Sequence, residues 1–165
     1  MATVSLKETP VHTCGDLPEV GSAAPDFLLV DKDLNNRTLA DYKGRKKLLY
    51  VVPSLDTSTC AKSTIRFNEL ASSPDSVILI VSADLPFAQK RFCSVENLDN
   101  VVPLSMMRNR DFAADYGLEI VDGPLAGVTA RAIIVVDEAD KVAYTELVSD
   151  IADEPDYAAA MAAMR

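Results

Sequence analysis

Short apolar runs alternate with segments of helical pattern through the middle of this chain, and no other feature restricts its fold as strongly. Lys47–Val52 and Val77–Val81 are continuous, short and bounded by polar residues or proline, which is typical of buried strands. Between them, four residues recur at the spacing of one helix face: Cys60, Thr64, Phe67 and Ala71. The strand–helix–strand order predicts an α/β architecture in which this helix face points into the protein.

Further strands are predicted on both sides of this central unit. Alternating polarity indicates an N-terminal β-hairpin, formed by Thr3–Lys7 and Val11–Cys14. Two more hairpins follow from similar patterns: Phe27–Val30 with Arg37–Leu39, and Ala132–Val136 with Val142–Leu147. Val101–Leu104 is also predicted to be a strand. Because Pro103 has no backbone N–H to donate, we expect this strand near an edge of the sheet.

Three more helices are predicted from the residues at their ends. Pro86 suits the first turn of a helix that runs towards Cys93. Gly117 suits the end of a short third helix. Asp153 is expected to cap a last helix that has Pro155 in its first turn.

Together these elements predict a thioredoxin-like α/β fold. We expect a central mixed β-sheet flanked by helices, with the N-terminal β-hairpin added to it. The length of 165 residues is typical of one domain. We therefore expect a single thioredoxin-like domain over residues 1–165.

The composition argues against several classes of function. A net charge of −9 without a basic stripe disfavours nucleic acid as a partner. No apolar run approaches about 18 residues, and the N-terminus lacks a secretion signal, so we expect no membrane span and a cytoplasmic location. His12 is the single histidine and no CxxC pair exists, which disfavours a metal site. Three cysteines do not suit a disulfide-stabilised secreted scaffold, so we expect cysteines that are catalytic, metal-binding or inert.

Cys60 is placed where a cysteine becomes reactive. It follows the first buried strand and Pro53, and Thr57 or Asp56 is expected to cap the helix in between. With Thr57 as the cap, Cys60 lies in the first turn, beside backbone N–H groups without a helical acceptor. The helix dipole favours an anion there, and the thiolate is the reactive form of cysteine. We interpret Cys60 as a nucleophile, and the alternative is an inert structural cysteine.

A cation and a hydroxyl group are expected close to this sulfur. The candidate cations are Arg66, Arg108 and Arg131, and Arg131 is favoured because it opens an apolar strand after a loop. The Thr57 hydroxyl is expected to cap the helix, to donate to the thiolate or to hold an incoming oxygen. Pro53 stiffens the loop and helps to shield the sulfur from water. A C-x-x-S sequence begins at the same cysteine, which is a weak indication of a monothiol glutaredoxin-like site.

Five segments, spread over nearly the whole chain, carry more specific residues. The element Pro53-x-x-x-Thr57-x-x-Cys60 resembles the peroxidatic motif of the peroxiredoxins. The other four are similar to segments of the bacterial thiol peroxidases: Ser82–Cys93, Asp122–Gly127, Ala130–Ala132 and Glu154–Tyr157. The chain therefore resembles an atypical two-cysteine peroxiredoxin of this bacterial subfamily.

The resemblance implies a mechanism and a set of residue roles. In the family, the cysteine that matches Cys60 attacks a peroxide and becomes a sulfenic acid. The residues that match Pro53, Thr57 and Arg131 form the pocket around it. The cysteine that matches Cys93 then forms a disulfide with it in the same subunit, and thioredoxin reduces this disulfide. The implied substrates are hydrogen peroxide and alkyl or lipid hydroperoxides, and the implied assembly is a homodimer without metal or organic cofactor.

Some alternatives stay open at this point. A thioredoxin-fold disulfide oxidoreductase and a non-catalytic redox sensor are the competing functions. Cys14 has no place in the family pattern and is expected to be a buried or bystander thiol, or a secondary oxidation site. Because a disulfide needs Cα atoms within about 7 Å, we expect the helices of Cys60 and Cys93 to unwind locally between the reduced and oxidised forms.

Overall fold

A mixed β-sheet forms the centre of the computed structural model, which describes residues 1–71 and 73–165. Its described residues contain nine strands: β1 Thr3–Leu6, β2 Thr9–His12, β3 Leu29–Asp31, β4 Asn36–Arg37, β5 Lys46–Val51, β6 Ser76–Ser82, β7 Val102–Ser105, β8 Ala132–Val136 and β9 Val142–Leu147. Seven of them form one sheet in the order β4-β3-β7-β6-β5-β8-β9. β5, β6 and β7 run parallel to one another. On the other side of β5, β8 pairs antiparallel with β5, and β9 pairs antiparallel with β8. The predicted mixed sheet is confirmed.

Helices cover both faces of this sheet. The described residues form four α-helices: α1 Ser58–Leu70, α2 Pro86–Val95, α3 Asp111–Asp115 and α4 Tyr157–Ala163. Alternate residues of each strand point to opposite faces, so two apolar layers form. Tyr50 packs in one layer with Phe67 of α1 and Ala160 of α4. Leu49 packs in the other layer with Phe112 of α3. The thioredoxin-like arrangement is confirmed, and none of these helices is long and apolar enough to cross a membrane.

The predicted N-terminal hairpin is present as a separate two-stranded sheet, β1–β2. Its turn residues Lys7 and Glu8 have φ values of 49° and 71°. The Asp150 carboxylate holds this turn, since it accepts hydrogen bonds from the Ser5 hydroxyl at 2.8 Å and from the Glu8 N–H at 3.2 Å. Hydrogen bonds from the Ala152 N–H and from Ser5 lower the pKa of the Asp150 carboxyl to about 2. The hairpin is thus fastened to the segment that follows β9.

One prediction about the sheet is wrong, because β7 is an internal strand that lies between β3 and β6. Pro103 lies opposite Ile80 of β6. On the other side, β3 pairs only with Leu104 and Ser105. No residue of β3 therefore lies opposite Pro103, and no ladder partner on that side needs the N–H that proline lacks.

The start of the last helix also differs from the prediction. Asp156, rather than Asp153, is the N-cap of α4, and its carboxylate accepts from the Ala159 N–H at 3.0 Å. Pro155 precedes this cap instead of lying in the first turn. Asp153 belongs to a turn in which its N–H donates to the Asp150 carbonyl at 2.9 Å. Both aspartates suit a cap by residue type, so the local pattern alone does not choose between them.

A partly buried ion pair lies at one end of the sheet. The side chain of Lys47, near the start of β5, has no exposed area, and its ammonium group donates to the Asp140 carboxylate at 2.6 Å. Asp140 belongs to the turn between β8 and β9. Cys60 follows the other end of β5, so this ion pair and Cys60 lie at opposite ends of the sheet.

Candidate active site

The first turn of α1 contains Cys60. Thr57 is the N-cap of this helix, and its Oγ1 accepts a hydrogen bond from the Cys60 N–H at 3.3 Å. Cys60 is thus the third residue of the helix, as its spacing from Thr57 predicts. Its side chain is fully buried. The positive end of the helix dipole therefore lies beside the sulfur.

The hydroxyl group of Thr57 is used by this cap. While its oxygen accepts from the Cys60 N–H, its proton is donated to the Ser54 carbonyl at 3.2 Å. The same carbonyl accepts from the Thr57 N–H at 3.3 Å. Of the three roles expected for this hydroxyl, the geometry therefore shows capping. Pro53 lies buried directly before this loop.

Arg131 is a buried cation beside Cys60. Its side chain is 1% exposed, and its Nε and Nη2 both donate to the Ile151 carbonyl, at 3.0 and 2.9 Å. Its Nη1 donates to the Tyr50 hydroxyl at 2.8 Å. Burial acts to lower the pKa of Arg131, but the adjacent Tyr50 and Cys60 side chains outweigh it and raise this pKa above its ordinary value. Arg131 therefore stays charged next to the sulfur.

The other two candidate cations lie elsewhere. Arg66 is exposed on α1 and pairs with Glu69 at 3.2 Å. Arg108 donates to the Leu34 carbonyl and to the Asn36 side chain, at 3.1 and 2.6 Å. Of the three arginines, Arg131 is thus the one that the fold brings to Cys60.

A cavity of about 300 Å³ lies where these elements meet. Pro53, Thr57 and Arg131 line it together, so the fold brings the three predicted pocket residues to one place. Its other walls are largely apolar and come from three separate parts of the chain: Leu6 of the hairpin, Leu125 of the loop before β8, and Ile151. The cavity is large enough for a small molecule, and the residues just before Cys60 form part of its rim.

Cys93 lies near the end of α2, in the same apolar layer as Cys60. Its side chain is 6% exposed, and burial is the main cause that raises the pKa of its thiol to about 11. The charge of Asp99 acts in the same direction, and Lys32 acts against it. Both thiols are free, so this structure is the reduced form of the pair. A thiol with this pKa is protonated near neutral pH and is a poor nucleophile until it leaves the core.

Cys14 is exposed, so the expectation of a buried thiol is wrong. Its sulfur lies 3.9 Å from the Ala113 carbonyl, on the α3 side of the sheet. Because Cys14 is exposed, two interpretations of it remain: a bystander thiol and a secondary oxidation site. Within residues 1–71 and 73–165, no cluster of three or more histidine, cysteine or acidic residues is arranged to hold a metal ion.

Two groups at the site were missed from the sequence. Tyr50 lies inside an apolar run and was interpreted only as a strand residue, yet its hydroxyl is a partner of Arg131. A tyrosine in a buried run needs a hydrogen-bond partner for its hydroxyl, and this was the available signal. Ile151 acts through its backbone carbonyl, which leaves no signal in the type of side chain.

Comparisons with known proteins agree with one another. Residues 19–161 match the family model described as Redoxin. A protein of Mycobacterium tuberculosis with the name thiol peroxidase is 48% identical to the chain over 164 residues, which cover 99% of each sequence.

Two solved structures are similar over the whole length. A peroxiredoxin-like protein from Aquifex aeolicus has a TM-score of 0.92 at 40% identity, and the match covers 99% of this chain and 96% of that one. A thiol peroxidase from Chromobacterium violaceum has a TM-score of 0.88 at 29% identity, and the match covers 97% of this chain and 93% of that one.

Proposed function

Because the chain belongs to the redoxin family, among its thiol peroxidases, we propose that Cys60 attacks the peroxide and that Cys93 resolves the product. One observation carries this assignment of roles. Pro53, Thr57 and Arg131 line a single cavity beside a cysteine in the first turn of a helix. A thiolate nucleophile and groups that stabilise charge on a departing oxygen are the two requirements for cleaving an O–O bond.

In the first step, the Cys60 thiolate attacks the terminal oxygen of the peroxide. An S–O bond forms while the O–O bond breaks, so the sulfur is oxidised by two electrons to a sulfenic acid. The departing oxygen takes up a proton and leaves as an alcohol, or as water when the substrate is hydrogen peroxide. The Arg131 guanidinium and the first-turn N–H groups stabilise the negative charge that moves onto this oxygen.

In the second step, the Cys93 thiol attacks the sulfenic sulfur. The S–S bond forms, the S–O bond breaks and water leaves, which yields a disulfide within one subunit. A thioredoxin-type dithiol then returns two electrons, and we propose thioredoxin itself as the donor. The burial of Cys93 in α2 supports a local opening of this helix before the step, because the thiol has to reach the sulfur of Cys60.

The shape of the cavity supports a range of peroxide substrates. Leu6, Leu125 and Ile151 provide apolar surface next to the charged Arg131. The arginine suits the peroxide oxygens, and the apolar walls suit a hydrocarbon substituent. We propose hydrogen peroxide together with alkyl or lipid hydroperoxides as substrates.

The competing functions have less support. A disulfide exchanger must present its sulfur to a partner protein, whereas the side chain of Cys60 has no exposed area. A sensor would form the disulfide once without turning over. Sustained consumption of peroxide with thioredoxin, thioredoxin reductase and NADPH separates a peroxidase from a sensor.

Cysteine variants test the roles directly. Cys60→Ser is expected to lose all turnover, because no thiolate remains beside the cavity. Cys93→Ser is expected to consume about one equivalent of peroxide per chain and then stop with thioredoxin, because its sulfenic acid has no resolving partner. Cys14→Ser is the matched control and is expected to turn over as the unmodified protein does. Peroxide turnover by Cys60→Ser that equals this control would overturn the proposal.

We also propose that the chain forms a homodimer. Three large apolar side chains on and beside α2 are exposed, and this supports a contact surface: Leu85 at 52%, Phe87 at 64% and Val95 at 68%. Sedimentation equilibrium of the reduced protein is expected to give twice the chain mass of 17.8 kDa. A mass of one chain at micromolar concentration would contradict the proposal.

A further inference from the structure

The Asp84 carboxylate lies between the two elements that carry the reactive cysteines. Its Oδ1 accepts from the Ser54 hydroxyl at 2.7 Å, and its Oδ2 accepts from the Leu55 N–H and from the Ser82 hydroxyl, both at 2.8 Å. The backbone carbonyl of Asp84 accepts from the Ser105 hydroxyl at 2.6 Å. One carboxylate thus joins the loop after β5 to the end of β6, and β7 holds it in place.

One side of this network leads to Cys60. Ser54, which donates to Asp84, accepts two hydrogen bonds from Thr57 through its carbonyl, at 3.2 and 3.3 Å. Thr57 in turn accepts from the Cys60 N–H. Asp84 therefore fixes the loop from which the N-cap of α1 is built.

The other side leads to Cys93. The Ser82 hydroxyl, which donates to Asp84, accepts from Nε2 of Gln89 at 2.9 Å. This nitrogen also donates to the Leu104 carbonyl at 2.9 Å. Gln89 is fully buried and lies in α2 four residues before Cys93, so the two side chains share one face of the helix. Asp84 is thus connected to α2 one turn before the resolving cysteine.

We propose that Asp84 is a positioning residue that anchors both cysteine-bearing elements while the disulfide forms, an inference that rests on the proposed function. Cys60 lies five positions along the chain from the anchored Leu55, and Cys93 lies four positions from Gln89. At about 3.3–3.6 Å per residue, these segments reach at most roughly 18 and 14 Å when extended. Both sulfurs therefore remain within reach of one fixed point after the helix turns around them have unwound.

The proposal limits the part of the molecule that moves. Residues 90–95 of α2 and the first turn of α1 unwind, whereas Ser54, Leu55 and Gln89 keep their hydrogen bonds. Short tethers keep the entropic cost of bringing the ends together low. The Cys93 thiol then attacks the Cys60 sulfenic acid with loss of water, as the second step above requires.

Gln89→Met tests the side of the network that leads to Cys93. The substitution keeps a long unbranched side chain but removes the amide. Without the amide, the buried Pro86 is the next residue that holds α2, so the free segment before Cys93 becomes roughly twice as long. Because the segment from Leu55 to Cys60 does not change, the whole tether lengthens by only about a third, and we expect the resolving step to slow about 1.5-fold. Lys90→Met is the matched control, because Lys90 is the exposed next residue of the same helix and takes no part in the network.

Acid quenching followed by mass spectrometry measures the two steps separately, since the chain has no tryptophan to report them by fluorescence. Sulfenic acid is counted as a dimedone adduct, and the disulfide as the loss of two alkylatable thiols. A role in helix stability alone would open α2 more often and make the resolving step faster in Gln89→Met. An unchanged or faster step than in Lys90→Met, in a protein that folds, would overturn the inference.

Asp84→Ala is a second and independent test. The substitution removes both carboxylate oxygens, so Ser54, Leu55 and Ser82 all lose this acceptor. We expect slower disulfide formation than in the unmodified protein, together with more sulfinic acid at Cys60 in excess peroxide. Equal rates and equal sulfinic acid would contradict the anchor. If the unmodified protein itself formed no Cys60–Cys93 disulfide, the proposed function would fail instead.

Discussion

Most hydrogen bonds of Arg131 are directed away from the Cys60 sulfur. An arginine has five N–H donors in a fixed planar arrangement. Two nitrogens donate to the Ile151 carbonyl and a third donates to the Tyr50 hydroxyl, which leaves two N–H groups that neither partner uses. The direction of those two groups is fixed by the partners of the other three, so in the proposed mechanism Tyr50 and Ile151 position the guanidinium although neither reacts.

Tyr50→Phe is expected to slow the oxidation of Cys60 by peroxide about tenfold. A hydrogen bond to a charged group is worth about 1.5–3 kcal/mol, and each loss of about 1.4 kcal/mol in the barrier is tenfold in rate. Burial raises the pKa of Tyr50 to about 12, so its hydroxyl is neutral in any ordinary assay and the effect is expected to be independent of pH.

Tyr157→Phe is the matched control for this prediction. Both tyrosine rings pack on Phe67, with centroids 5.0 and 5.1 Å away, but the Tyr157 hydroxyl donates to Glu154 instead of accepting from Arg131. Competition kinetics against a second peroxidase gives the rate constant of each variant. Equal rates for the two variants would show that Tyr50 does not orient the arginine.

Among the elements, the N-terminal hairpin contributes Leu6 and Lys7 to the wall of the cavity. Leu6 of β1 and Ile151 stand in its wall, and Asp150 ties the two segments together. Ile151 also supplies the carbonyl that holds Arg131. The hairpin, the wall and the arginine are therefore one connected unit.

Asp150→Ala is expected to raise the KM for cumene hydroperoxide about threefold more than the KM for hydrogen peroxide. Loss of the carboxylate frees the hairpin turn, and an apolar wall that is no longer fixed binds a bulky substituent less well. Asp137→Ala is a matched control, because Asp137 also accepts two backbone N–H groups in a turn but lies at the far end of β8. An equal change of KM for both substrates would contradict this account.

Local patterns predicted a helix end well where all the residues that determine it lie in one short segment. The spacing from Thr57 to Cys60 predicts the cap of α1, and Pro86 predicts the first turn of α2. Long-range pairing decided the rest. The internal position of β7 depends on how short β3 is, and the partners of Arg131 come from a strand and a turn far away in the chain.

At the scale of the whole molecule, the burial of Cys93 links stability to pH. Its thiol has a pKa of about 11 in the folded protein, against an ordinary value of 9.0. Between these values the unfolded chain has lost the proton and the folded chain has kept it. The free energy of unfolding therefore falls as the pH rises from 9 to 11, with no contribution from this group below that window.

Cys93→Ala is expected to flatten this dependence by about 2 kcal/mol between pH 8 and pH 10.5. Urea unfolding at several pH values, with a phosphine reductant present, measures it. The raised pKa values of Tyr42 and Tyr50 act in both proteins and cancel in the comparison. Parallel curves for the variant and the unmodified protein would show that Cys93 is not the cause. That residues 1–165 form one domain stays a prediction, and a single cooperative transition in these curves would support it.

The two chain ends have different surroundings, and this matters for attaching reporters. The Arg165 carbonyl accepts a hydrogen bond from Lys46 at the start of β5, at the end of the sheet where Lys47 and Asp140 pair. The Met1 ammonium group pairs with Asp16 at 3.4 Å, and β1 runs from that end to Leu6 in the wall of the cavity. A dye or fusion protein joined after Arg165 is thus expected to leave catalysis untouched, whereas the same group joined before Met1 is attached to the strand that carries Leu6.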